Sequence, residues 1–118
     1  MAKLSKDTRV KREFSRLIKI YSDLSEYELA SIEGLIRRAA YMRTTLEDYE
    51  HDLDENGYVE MFTQSVNTPP YERERPVARL YNSMNRNYQT IMKQLVDALP
   101  EVSDNASREI MEFLGGKK

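Results

Sequence analysis

Seven cations crowd the first nineteen residues: Lys3, Lys6, Arg9, Lys11, Arg12, Arg16 and Lys19. Arg9, Arg12, Arg16 and Lys19 recur at spacings of three and four, so a helix gathers them on one face, with Lys3, Lys6 and Lys11 adding to it. Cations in a row suit the evenly spaced phosphates of a nucleic-acid duplex, a contact that positions a protein without reading sequence. The segment has no Asn or Gln to read adenine edges, so selectivity would rest on Arg or on DNA shape. The competing reading is a solvated face beside the acids Glu26, Glu28 and Glu33. Arg37 and Arg38 are secondary DNA candidates together with Arg43, and all three suit ion pairs between subunits equally well.

A second pattern carries metal chemistry. Asp52-Leu53-Asp54-Glu55-Asn56-Gly57-Tyr58-Val59-Glu60 follows the first nine positions of an EF-hand loop, with Asp52, Asp54 and Asn56 as oxygen ligands and Gly57 at the turn. The twelfth position, where a bidentate Glu closes the shell, is Thr63, and no exit helix follows. The reading preferred is therefore an acidic helix end with no metal, a calcium module being the alternative. The acids Glu47 to Glu55 read as a solvated face. His51 is the only histidine and has no Cys or second His to share a metal. Without a Gly-rich phosphate loop, a G-x-S-x-G or a nucleophile–base pair, the sequence points to no enzyme and no cofactor.

The elements that must hold these residues follow from periodicity. A basic helix is expected over residues 8–23 of an N-terminal segment 1–24, with Val10, Phe14, Leu17, Ile18 and Tyr21 as its apolar side. Ser25 and Glu28 form a capping box, the start of a long helix over 25–57. Leu29, Ile32, Ile36, Ala39, Leu46 and Leu53 make its stripe, widened by Leu35, Met42 and Tyr49. Gly57 stands where an αL cap would end it. Residues 58–75 read as a strand or small hairpin through Tyr58, Val59, Met61, Phe62 and Val66, then a loop through Asn67-Thr68-Pro69-Pro70 and the charged 71–75 run. Pro76 opens a second long helix over 76–99, with Val77, Leu80, Tyr81, Met84, Tyr88, Ile91, Met92, Leu95 and Leu99 at helical spacing. A short helix over 103–114 completes one mainly α domain, a long antiparallel helical hairpin with short helices at its two ends.

Composition agrees with an extended helical form. Charged residues make up 32% of the 118-residue chain, above the usual quarter or so. No cysteine is present, and neither a membrane span nor a signal peptide is expected, which suits the cytoplasm. The net charge of −2 conceals a gradient of +5 over residues 1–22, −8 over 23–60 and +1 thereafter. A helix of about 30 residues is about 45 Å long, whereas a compact chain of this length is roughly 35 Å across. The long helix must bend, or project and be covered by another subunit. Leu29, Ile32, Ile36, Leu46 and Leu53, with Leu80, Met84, Tyr88, Ile91 and Leu95, are the residues expected to carry self-association.

The order of features from Ser25 to Arg108 resembles the small terminase subunit of tailed phages, in a short helical family. Leu53 to Gly57 match its Leu-x-x-x-Gly helix end. Asn67 with Pro69 matches its Asn-Pro element, a Thr intervening, and Pro100 with Ser107-Arg108 matches its Leu-x-Pro-Ser-x-Arg-like element at wider spacing. The resemblance implies a non-enzymatic DNA-packaging component that binds viral double-stranded DNA as a ring-shaped homo-oligomer in the host cytoplasm. It implies recruitment or regulation of the large, ATP-hydrolysing subunit, with contacts to that subunit on the C-terminal helix. An alternative of another class is a helical adaptor that docks its hairpin on a protein partner and binds no nucleic acid.

Overall fold

The computed structural model describes residues 4–99. Along the chain lie α1 (Lys6–Ile20), α2 (Glu26–Asn56), β1 (Val59–Phe62), β2 (Tyr71–Glu74) and α3 (Pro76–Asp97). The helix expected over 103–114, Pro100, Ser107-Arg108 and Lys3 lie outside the described residues.

Side-chain oxygens set where the first two helices begin. Ser5 accepts from the Thr8 N–H and so starts α1 earlier than its apolar periodicity suggests. At Ser25 the capping box is complete: its oxygen accepts from the Glu28 N–H at 3.1 Å, and the Glu28 carboxylate accepts from the Ser25 N–H at 3.0 Å. Gly57 ends α2 by donating its N–H to Leu53. Its φ of 83° and ψ of 177° lie outside αL, in a region that is essentially glycine's alone. In α3, Pro76 occupies a first-turn position where no intrahelical N–H is needed.

Three helices share one core. Leu17, Tyr21, Ile32, Ile36, Ala39 and Leu95 are buried together, with Phe14, Ile18, Leu29, Tyr88 and Ile91 packed around them. Tyr21 donates its hydroxyl to the Leu95 carbonyl, tying α1 to the end of α3. The α2–α3 pair is antiparallel: Leu95 sits with Ile32 and Ile36, while Arg75, just before α3, bonds Asp52 and Gly57 at the end of α2. α1 also runs antiparallel to α2, since Arg9 meets Asp48 while Arg37 lies over Phe14.

The long helix projects. α1 is short enough to cover only part of α2, so past Asp48 the arm is, among the described residues, a two-helix layer with Leu53 and Ala78 buried in it. The radius of gyration is 20.0 Å and the extents are 69 × 36 × 32 Å, against a radius of about 14 Å for a compact chain of this length.

At the tip the hairpin differs from expectation. The charged run from Tyr71 is a strand, paired antiparallel with β1 in the register Val59↔Glu74 to Phe62↔Tyr71. Cross-strand chemistry supplies what hydrophobic alternation lacks: Arg73 bonds Glu60 at 2.7 Å and lies 3.6 Å over the Phe62 ring. Phe62 and Tyr71 meet edge to face at 5.9 Å. Val66, expected in the strand, is in the connecting loop and 98% exposed. Among the described residues no helix is long and apolar enough to cross a membrane.

Candidate nucleic-acid interface

The amphipathic pattern of α1 gives its outer face a fixed direction. Leu17 and Tyr21 are buried in the core, so Thr8, Lys11, Arg12, Ser15, Arg16 and Lys19 turn outward and line one open surface depression. Two hydroxyls and four cations lie along it at helical spacing, and the face carries no carboxylate in its lining, which suits an extended anion.

The cations are not equivalent. Among the described residues, Arg12, Lys19 and Arg38 have no carboxylate within ion-pair distance. Lys11 meets Asp7 at 3.1 Å, with both side chains about three-quarters exposed, so water screens that pair heavily. The Arg16 guanidinium is bound in fork geometry by the Glu13 carboxylate, at 2.9 and 2.7 Å. That bond, set against partial desolvation, holds the Arg16 proton more tightly than usual.

Four of the expected DNA contacts lie off this face. Arg9 turns inward to Asp48 at 2.6 Å, Glu47 at 3.2 Å and the Thr44 carbonyl at 3.4 Å, with only 23% of its side chain exposed. The Asp48 bond is the largest cause holding its pKa above the ordinary arginine value. Arg9 is thus a strut between α1 and α2, because antiparallel packing sets it opposite the acids of α2. Lys6 sits 4.2 Å above the Tyr41 ring. Arg37 pairs with Glu33 at 2.7 Å and stacks 4.6 Å over Phe14. Arg38 is exposed on α2, away from the α1 row.

Two further expectations change. Ile32, Ile36, Leu46, Leu53 and Leu95 are buried against this chain's own helices, so they are core and not free for a neighbouring copy. Leu29, Met84, Tyr88 and Ile91 are half-buried, and only Leu80, 54% exposed, presents itself outward.

The calcium alternative loses its geometry. Asp52, Asp54 and Asn56 lie within α2, so the turn that would gather their oxygens is a helix. Asp52 accepts from Arg75 at 3.0 and 3.1 Å and from the Asn56 amide. Those bonds, Asn56 first and Arg75 next, hold its carboxyl below the usual range. Arg75 also donates to the Gly57 carbonyl at 2.7 Å, a cation at the negative end of α2.

The sequence reading did not find the partners of Arg9. The pairs Arg43–Glu47 and Glu13–Arg16 are local to one helix, at i,i+4 and i,i+3. The link between helices needed the antiparallel register. Comparison with family models, curated proteins and solved structures finds no match to this chain.

Proposed function

We propose that this protein is a non-catalytic, duplex-binding component of phage DNA packaging, of the small-terminase kind, that works as a homo-oligomer beside a large ATP-hydrolysing subunit in the host cytoplasm. The observation that carries the reading is the outward face of α1, where Lys11, Arg12, Arg16 and Lys19 stand together and, among the described residues, Arg12 and Lys19 have no acidic partner. Among the described residues no aromatic lines that depression for base stacking, so the chemistry favours phosphates of a duplex over bases of a single strand. The projecting arm supports self-association, since a two-helix layer leaves apolar side chains such as Leu80 open to water.

Replacing Arg12, Arg16 and Lys19 by Glu tests the reading through a salt-sensitive duplex mobility shift. The expected outcome is loss of the shift with the fold retained; an unchanged shift moves the contact elsewhere. A second reading, a protein adaptor without nucleic-acid binding, is favoured by Val59 and Met61, which stand 52% and 64% exposed on one face of the hairpin. Light scattering separates the two: many subunits fit the packaging component, a monomer or dimer the adaptor.

A further inference from the structure

The seam between α1 and α2 carries an unbroken alternation of charge. Asp48 binds Arg9 at 2.6 Å, Arg9 reaches Glu47 at 3.2 Å, and Glu47 meets Arg43 at 3.4 Å. Arg43 lies 3.9 Å from Glu13, whose carboxylate holds Arg16 at 2.7 Å. The ladder ends on Arg16, the one member that also lines the outward basic face. Its last acid is unlike the other carboxylate of α1. The Glu13 side chain is 12% exposed between two guanidiniums, whereas Asp7 is 76% exposed. A carboxylate withdrawn from water and bonded to both nitrogens of an arginine fork is a strong ligand for that arginine.

We infer that Glu13 is a built-in competitor for duplex phosphate, holding Arg16 within the ladder so that a phosphate on the α1 face must displace a carboxylate to reach it. This inference rests on the duplex-binding reading. Arg12, Lys19 and the screened Lys11 are the contacts available at once, and Arg16 is held in reserve. The arrangement limits affinity without removing a cation, and it couples binding at the face to the strength of the α1–α2 seam.

The experiment is anisotropy with a short fluorescent duplex, comparing the parent with Glu13→Gln, Arg16→Gln and the double variant. Freeing Arg16 adds one phosphate contact, so Glu13→Gln should bind more tightly with a salt slope steeper by about 0.9. Its advantage should then shrink about 3.5-fold between about 50 and 200 mM salt. In the Arg16→Gln background the Glu13→Gln gain should vanish. A gain that persists there shows only the general effect of deleting an acid, and overturns the inference, as does equal or weaker binding by Glu13→Gln. Arg16→Lys, which keeps the charge but cannot form the fork, should bind at least as tightly as the parent. It carries the test should Glu13→Gln fail to fold by circular dichroism, and weaker binding by it overturns the inference. A parent that ignores duplex removes the underlying reading and this inference with it, an outcome distinct from the others.

Discussion

Leu17 decides whether the basic face is a fixed surface or a loosely tethered helix. It is 2% exposed in the cluster with Tyr21, Ile32, Ile36, Ala39 and Leu95, and it is the most buried residue of α1. Truncation to Ala removes three carbons from a site walled by three helices, which limits collapse into the space. Core Leu→Ala changes of this kind cost about 3 kcal/mol or somewhat more. With an unfolding entropy of roughly 2.1 cal/mol/K per residue, a chain of this size loses about 0.25 kcal/mol per degree, so Tm should fall by about 12 °C. Thermal melts followed by far-UV circular dichroism measure this directly. Val96→Ala on α3, where the side chain is 57% exposed, should stay within about 0.5 kcal/mol. A Leu17→Ala loss no larger than that of Val96→Ala would mean that α1 is not docked in solution. The direction of its cations would then have no structural basis.

Other outcomes follow from the same contacts. Arg9→Glu sets a third carboxylate against Asp48 and Glu47 and should lower stability by about 1–2 kcal/mol in urea titrations, while Arg12→Glu should stay within about 0.5 kcal/mol. Burial raises the Tyr21 phenol above its usual 10.0. Its contribution is whole below the unfolded value and is lost as pH rises through the folded one, so Tyr21→Phe should flatten the alkaline fall in stability. Asp52 has the opposite sign: its lowered pKa gives a contribution present above the unfolded value and lost as pH falls through the folded one. Asp52→Asn should therefore flatten the acid limb of a pH–stability curve.

The long helix was readable because every level of its sequence agrees: a capping box, an unbroken stripe and a glycine at its end. Ile32, Ile36 and Ala39 were legible as an apolar face for the same reason, but not whose helices that face would meet. Their burial within one chain depends on α1 folding back, which no local pattern encodes. Leu80 shows the converse, a position on the apolar stripe of α3 left 54% exposed because, among the described residues, no third helix lies along the arm. β2 escaped notice because Glu72, Arg73 and Glu74 carry no hydrophobic alternation, and its strand depends on pairs formed across the hairpin. Arg9 and Arg12 are both cations on the expected helix, yet one is a strut and the other faces solvent. Only the register against Asp48 separates them.

Duplex binding measured across salt concentration tests the proposed role most directly. Three immediately available cations on α1 imply a slope of log K against log salt near about −2.7, reduced by about 0.9 for each of Arg12→Gln and Lys19→Gln. Arg9→Gln should leave the slope unchanged. Binding by the parent that is indifferent to salt, or to both Arg12 and Lys19, would contradict a duplex site on this face.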